Sequence, residues 1–258
     1  MRREGAVPGM TCSMSAQTDE LLATFARRLG AWRVWMLRAD ADEVRDLVGV
    51  ASGAPSRFVE VLGDTPVRVI DVRAVARECG RDTLLVVDSS RATSALCATC
   101  KLGANVCIES LDGTLGREGT RLLVVGVARY CPGRADVAAR LDEFASQGAH
   151  APRLWEPALV SGRLEGLDGR MRAASDLAQE MASFLACHPL VSLVRYPGLR
   201  EDASYEAAAS NLHNGFGAIV DYMPRGSGEW HRVNCLGHEG PLSLDDLVAR
   251  LEQELTVP

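Results

Sequence analysis

Lysine is almost absent from this sequence, and its scarcity limits the chemistry available to the chain. Of the 28 basic residues among 258, Lys101 is the single lysine and the other 27 are arginines. A reaction that depends on a lysine amine therefore has one candidate residue. The formal net charge of −6 gives no indication of a nucleic-acid-binding protein or of a basic membrane-binding face. We expect neither a nucleic acid nor a membrane as a partner.

Long apolar runs are also missing. The longest, LLVVD and RLLVVGVA, have the length of a strand and are too short to span a bilayer. The two arginines near the start are not followed by the apolar segment of a signal peptide, so none is predicted. The eight cysteines lie in apolar or helical stretches without the spacing of a disulfide scaffold. Together these features predict reduced thiols and a cytoplasmic location.

One cysteine spacing, Cys97-x-x-Cys100 with Cys107, resembles a metal or redox motif. The first two cysteines lie within a helix predicted over Thr93–Leu102, and no fourth ligand has suitable spacing. Small buried thiols are common in protein cores. We therefore expect no metal site.

What the sequence does contain is an alternation of strands and helices. Strands that are apolar on both faces and separated by helices predict an α/β fold with a mostly parallel sheet covered on both sides. From Arg134 the pattern becomes helical, and a shorter α/β pattern follows His188-Pro189. We predict a large domain, connecting long helices and a small C-terminal α/β domain, at residues 1–150, 151–187 and 188–258.

Two local patterns involve carboxylates. Asp88 ends a buried strand and precedes two serines, at the sheet edge where open α/β folds bind ligands. An equally good interpretation is that Asp88 caps the next helix. Asp40 and Glu43 have the spacing of a capping box for the helix that follows. The glycine-rich stretch between Gly113 and Gly119 is neither a phosphate-binding P-loop nor a dinucleotide fingerprint.

Three ordered segments resemble one enzyme family. LLVVDSSRATSALCATCKLGANVCIESLDGTLGREG resembles the central block of the Cys/Met-metabolism pyridoxal-phosphate (PLP) enzymes, the cystathionine γ-synthase and γ-lyase family. That block reads V-V-D-N-T-F-A-T-P, L-G-A-D and H-S-A-T-K-Y-L-G-G-H. LDGRMRAASDLAQEMASFLACHPLVSLVRYPGL and NGFGAIVDYM are similar to the family's long helix with its HP…PGL sequel and to its GFGGM-x-S strand. The resemblance runs from about Ala23 to the C-terminus and implies the fold of type I PLP-dependent transferases.

The resemblance also assigns the family's cofactor positions. Asp88 matches the carboxylate that pairs with the pyridine nitrogen of the cofactor. Ser90 stands where the family has a threonine, and Ser110 stands where it has a phosphate-contacting serine. The position of the Schiff-base lysine is occupied by Gly113. Lys101 precedes that position by twelve residues and is predicted at the exposed end of a helix, so it is not expected to substitute.

Further positions depart from the family pattern. Asp112 replaces the second phosphate-contacting hydroxyl, and a carboxylate about 4 Å from a phosphate charge costs roughly 4 kcal/mol per charge pair at an effective dielectric of 20. That cost is relieved if the side chain turns away or if Arg117 neutralises it. Only a short leader precedes Ser13, so the family's phosphate-binding S-G-M loop and ring-stacking tyrosine have no counterpart. We interpret the chain as an N-terminally truncated, degenerate relative.

The carboxylate-binding arginine of the family has no clear match. Aligning Gly237-x-Glu239 with the family's G-x-E places Val233 at its position, with Arg232 one residue away. A step of one residue along a strand reverses the face. Arg232 is therefore a weak candidate for substrate binding.

Three functional hypotheses follow from the resemblance. The first is a non-catalytic member that binds no cofactor and assembles with itself or with an active full-length relative. The second is a PLP-binding lyase or transferase of sulfur amino-acid metabolism, with a partner supplying the missing groups. Asp88, Ser90 and Ser110 are its support. The third is a decayed remnant without function.

Overall fold

In the computed structural model of the chain, residues 8–236 and 243–256 are described. The strands are β1 (Arg33–Arg38), β2 (Ser56–Glu60), β3 (Leu62–Gly63), β4 (Arg68–Val69), β5 (Leu84–Asp88), β6 (Val106–Ser110), β7 (Leu122–Val127), β8 (Val191–Arg195), β9 (Ile219–Pro224) and β10 (His231–Asn234). The helices are α1 (Pro8–Leu29), α2 (Ala41–Ser52), α3 (Val72–Cys79), α4 (Thr93–Leu96), α5 (Thr99–Leu102), α6 (Asp112–Leu115), α7 (Arg134–Ser146), α8 (Glu156–Leu164), α9 (Leu167–Cys187), α10 (Tyr205–Asn211) and α11 (Leu244–Thr256).

The central sheet has five strands in the spatial order β1-β7-β6-β5-β2. β2, β5 and β6 pair in parallel, whereas β7 is antiparallel to both of its neighbours, β6 and β1. Four of the five strands therefore run in the same direction. This confirms the predicted mostly parallel sheet.

Helices cover both faces of this sheet, as its apolar strands require. One face packs against α1, where Phe25 and Leu29 are fully buried. The other packs against α2 and α7, represented by Val48 and Leu141. Side chains along a strand alternate between the two cores, so that Cys107 belongs to the first and Ile108 to the second.

A three-stranded antiparallel sheet in the order β10-β9-β8 lies within the range predicted for the small domain. The first turns of α9 contribute Met171 to the core of the large sheet, and its later turns contribute Met181 and Leu185 to the core of the small one. The domain limits at 150 and 187 stay a prediction. Within the described residues, none of the helices combines the length and the apolar character needed to cross a membrane.

Two sequence predictions about helices were wrong. The helix predicted over Thr93–Leu102 is broken into α4 and α5, because the carbonyl of Leu96 accepts from His213 N at 2.9 Å instead of continuing the helix. Cys97 is extended, with φ −143° and ψ 119°. The capping box at α2 is also absent, since the Asp40 side chain makes no capping hydrogen bond and instead pairs with Arg121 at 2.9 Å.

Candidate functional site

The carboxyl ends of β5 and β6 carry a chain of hydrogen bonds between side chains and backbone. The Asp88 carboxylate accepts from Ser90 N at 2.7 Å, and Ser90 Oγ accepts from Ser110 N at 2.8 Å. Ser110 Oγ in turn accepts from Asp112 N at 3.2 Å. The parallel pairing of β5 and β6 brings these residues together, because their carboxyl ends share one edge of the sheet.

Next to this edge lies a cavity of about 520 Å³. Its lining includes Ser90, Ser110, Gly113 and Arg232. Asp88 does not line it. Burial raises the pKa of the Asp88 carboxyl, and hydrogen bonds from the side chain and backbone of Ser90 oppose that rise. The structure therefore places four of the predicted positions around one cavity, and Asp88 is hydrogen-bonded to one of them, Ser90, without lining the cavity itself.

Gly113, which the resemblance places at the Schiff-base lysine position, lines the cavity and carries no amine. A Cβ atom added there would lie 3.2 Å from Thr93 Cγ2 and 3.9 Å from Leu236 Cδ2, so there is room for a side chain with a small adjustment. Lys101 is exposed and its side chain lies against Gly30, at the end of α1. It precedes β6 whereas Gly113 follows it, so the length of that strand, roughly 15 Å, separates the two positions.

Asp112 lines the cavity, and its carboxylate is held by its own loop. Its carboxylate accepts hydrogen bonds from Gly119 N at 2.9 Å, from Thr120 N at 3.1 Å and from the Thr120 hydroxyl. Charge-assisted bonds of this kind fix a loop strongly. Of the two forms of relief expected from the sequence, the structure shows the side chain engaged with its own loop, and Arg117 makes no ion pair with it.

Arg232 lies on β10 directly opposite Asp221 of β9. Its Nε and Nη2 atoms donate to the two oxygens of that carboxylate, both at 2.8 Å, and Nη2 also donates to the carbonyl of Asp64. Asp221 is fully buried. The guanidinium is thus largely occupied by structural partners, although Arg232 lines the cavity. The alternative, Val233, pairs with Val220 on the same strands, and Gly237 and Glu239 lie outside the described residues.

Sequence reasoning missed a fully buried carboxyl group, Glu109, in the middle of the central sheet. Its Oε1 atom accepts from Ser94 Oγ at 3.4 Å, and its Oε2 atom has no hydrogen-bond partner within the described part of the chain. Burial raises the pKa of Glu109 to about 8, against the opposing charge of Arg28. A glutamate inside an otherwise apolar strand, VCIES, is the signal that could have revealed it.

The cysteines of the Cys97-x-x-Cys100 and Cys107 spacing are buried or half-buried free thiols. Within residues 8–236 and 243–256, no three His, Cys, Asp or Glu side chains group as metal ligands. Burial raises the pKa of Cys97 and that of Cys107 each to about 12. Such protonated buried thiols behave as small apolar side chains.

Comparison with known proteins identifies the family. The profile of the "Cys/Met metabolism PLP-dependent enzyme" family matches residues 10–233. The chain belongs to this family. It is 34% identical over 190 residues to the cystathionine gamma-synthase of Mycobacterium tuberculosis, a match that covers 70% of this chain and 46% of the synthase. It is 26% identical over 213 residues to the O-acetyl-L-homoserine sulfhydrylase of Leptospira meyeri, covering 67% and 47% of the two chains.

Solved structures support the same fold. The crystal structure of metB from Corynebacterium glutamicum superimposes with a TM-score of 0.78 at 19% identity, covering 93% of this chain and 84% of that one. CalE6, a methionine gamma lyase from Micromonospora echinospora, gives a TM-score of 0.70 at 18% identity, covering 82% and 69%. The chain spans about half the length of the relatives that it matches by sequence.

The family depends on PLP, but the residues around the cavity do not fit a covalently held PLP. Gly113 supplies no amine. The lining arginines, Arg91 and Arg232, are each already paired with a carboxylate of the chain. Asp112 and Glu118 add two acidic groups to the same lining, which disfavours a phosphate.

Proposed function

We propose that this chain is a non-catalytic member of the Cys/Met metabolism family that acts in the cytoplasm by assembling with itself or with a full-length relative. The observation that carries the proposal is Gly113, at the position of the family's Schiff-base lysine, with the single lysine of the chain beyond the opposite end of β6. Without an amine in the cavity, the covalent chemistry of this family has no starting point.

The exposed edge of the small sheet supports assembly. β8 is an edge strand, and no described strand pairs with its outer side. Leu193 lies on this edge strand and is 53% exposed, and Leu190, just before the strand, is 43% exposed. An open strand edge with exposed apolar side chains is a surface on which another chain can add a strand.

The cofactor part of the proposal is tested with PLP and borohydride. The wild-type chain is expected to leave the visible spectrum of PLP unchanged and, after reduction, to carry no saturable adduct. Any non-specific labelling of Lys101 should disappear in Lys101→Arg. When Gly113→Lys is added to Lys101→Arg, we expect a PLP adduct at position 113. The control adds Arg200→Lys, at an exposed position, to Lys101→Arg instead, and its labelling should be weaker. A saturable, lysine-linked adduct in the wild-type chain would overturn the proposal.

The assembly part is tested by sedimentation and by co-purification with a full-length family member. Leu193→Glu is expected to shift the chain to a lower mass and to abolish co-purification, because it places a charge on the exposed edge. Val50→Glu is the matched control, since Val50 is 86% exposed on α2, away from the small sheet. A monomeric wild-type chain that captures no relative would contradict this part.

A second candidate is a PLP-binding lyase or transferase of sulfur amino-acid metabolism whose partner supplies missing groups. The observation in its favour is that Ser90 and Ser110 line one cavity, with the Asp88 carboxylate hydrogen-bonded to the first. This candidate requires that PLP binding change the visible spectrum of PLP saturably without forming a covalent adduct. Asp88→Asn should weaken that binding. Asp176→Asn, an exposed change on α9, serves as the control.

A further inference from the structure

A second and larger cavity, of about 850 Å³, lies on the other side of the loop that follows α6. Glu118 and Gly119 line both cavities, so this loop separates them. The larger cavity is bounded by β1, by the start of β7 and by the segment that leads into α8. It shares none of the positions that the family resemblance assigns to cofactor or substrate. We call it the arginine cleft.

The arginine cleft is lined by four arginines and two glutamates. One of the glutamates, Glu156, is 4% exposed and has both oxygens occupied, since one pairs with Arg38 and the other accepts from Arg153 N at 2.7 Å. The first of these contacts neutralises Arg38. The second uses the backbone of Arg153 and fixes the segment before α8 without engaging its guanidinium.

The guanidinium groups of Arg117, Arg153 and Arg163 form no ion pair with any residue in the described ranges. All three side chains are exposed to the cleft and solvent. With Arg38 neutralised by Glu156, the lining keeps three arginines against one further glutamate, Glu118, which leaves a local excess of positive charge in a chain of net charge −6. Such an excess attracts anions.

A further arginine, Arg170, lies next to the cleft without lining it. The Nη2 atom of Arg170 donates to the carbonyls of Thr114 and Arg163, both at 2.9 Å. Burial lowers the pKa of Arg170, and the nearby charge of Arg163 lowers it further. The arginines in this region therefore repel one another, and a bound anion would relieve that repulsion.

The cleft also has a flat apolar wall. Trp155 and Leu159 line it and are 54% and 43% exposed. An indole ring with this exposure offers a face for a planar group, and the arginines offer planar donors for a phosphate. The arginines and the apolar wall line the same cavity, and its volume suits a small molecule.

We propose that the arginine cleft binds a phosphate ester that carries a planar ring, with the phosphate held by Arg117, Arg153 and Arg163 and the ring against Trp155. The recognition is of the kind used for nucleoside monophosphates, in which charge-assisted hydrogen bonds fix the phosphate and stacking holds the base. This inference does not depend on the proposed function, because it uses neither Gly113 nor the cavity beside β5.

The experiment is a calorimetric titration of the full chain with AMP, adenosine and inorganic phosphate. AMP should bind more tightly than either of the other two, and its affinity should fall with added salt, because exposed charges are screened. Arg153→Gln and Arg163→Gln should each weaken AMP about tenfold, and Arg200→Gln, an exposed arginine outside the cleft, should not. Trp155→Ala should reduce the affinity for AMP towards that for phosphate.

Two outcomes would overturn the inference. One is AMP binding that neither the arginine variants nor salt weakens. The other is a change of mass in sedimentation for Arg153→Gln and Arg163→Gln with no effect on AMP, which would make the cleft an interface between chains. Because the PLP and borohydride test uses a different cavity, failure here leaves the proposed function untouched.

Discussion

Asp221→Ala is expected to lower the free energy of unfolding by about 3–5 kcal/mol, the range found when one partner of a buried ion pair is removed. Asp221 is fully buried and receives three hydrogen bonds, two from the guanidinium of Arg232 and one from Val67 N at 2.5 Å. Removing its carboxylate leaves a partly buried cation and a buried backbone amide without their acceptor. Chemical denaturation monitored by circular dichroism measures the loss.

Controls separate the lost contacts from the lost charge. Asp221→Asn keeps an acceptor for Val67 N and the volume of the side chain, so it should cost less than Asp221→Ala. Asp176→Ala removes a carboxylate that pairs with Arg172 at 2.9 Å on the exposed surface of α9, and it should change stability little because water screens such pairs. An equal effect of Asp176→Ala and Asp221→Ala would contradict the assignment.

The same network explains why Arg232 is a poor candidate for binding a substrate carboxylate. Its guanidinium joins β10 to β9 through Asp221 and reaches the carbonyl of Asp64, in the turn between β3 and β4. Val67 N bonds to the same carboxylate from that turn. The residue therefore ties the small sheet to the hairpin of β3 and β4. Sequence alone could place Arg232 on a strand, but its partner lies eleven residues away and is set by the register of β9 and β10.

Patterns within single segments predicted the scaffold well. The apolar run LLVVD, which has the length of a strand, forms β5 (Leu84–Asp88), because buried parallel strands are nearly continuous apolar runs. The meeting of Ser90 and Ser110 at one edge follows from the same pattern, since parallel neighbours end together. Where the carbonyl of Leu96 bonds instead to His213 N, a contact distant in sequence ended a helix that local propensity favoured.

The details of the site depend on contacts that no local pattern encodes. The resemblance places Asp112 at the position of a phosphate-contacting hydroxyl, but its carboxylate accepts hydrogen bonds from the amides of Gly119 and Thr120, which requires the loop to fold back after α6. The arginine cleft is formed by β1, the loop after α6 and α8. These segments are far apart in the sequence, so the clustering of their arginines cannot be seen from the composition or from any single segment. Gly113 is the exception. Its assignment rests on the family resemblance and on residue type alone, because the chemistry needs a lysine at that position, and it stays a prediction.

Glu109→Gln is expected to remove a dependence of stability on pH that the wild-type chain shows between about pH 4.5 and pH 8. Burial raises the pKa of Glu109 from 4.5 to about 8, since the charged form has lost its water. The nearest cation, Arg28, is engaged by Asp168 through two hydrogen bonds and reaches Glu109 through Ser94, to which its Nε atom donates at 3.1 Å. The uncharged carboxyl is therefore the form that suits the core.

The sign of the effect follows from proton binding. Between the unfolded pKa of 4.5 and the folded pKa of about 8, the folded chain holds a proton on Glu109 that the unfolded chain has released. Stability then falls as the pH rises, by at most about 1.4 kcal/mol per pH unit from this group. Below that window the contribution is fully present. The pKa of Asp88 is also raised, so Asp88 makes stability fall with pH in the same direction. Because Asp88 is present in both chains, the difference between Glu109→Gln and the wild-type chain isolates the contribution of Glu109.

The measurement is the free energy of unfolding of Glu109→Gln and of the wild-type chain at pH 5, 6, 7 and 8. Glutamine keeps the shape of the side chain and cannot ionise, so the variant should be more stable than the wild-type chain at pH 8, by an amount that shrinks towards pH 5. Glu180→Gln, an exposed change on α9, should leave the profile unaltered. If the difference between Glu109→Gln and the wild-type chain is the same at every pH, the carboxyl of Glu109 does not titrate in this window. Its burial would then be compensated by a partner other than Arg28 and Ser94.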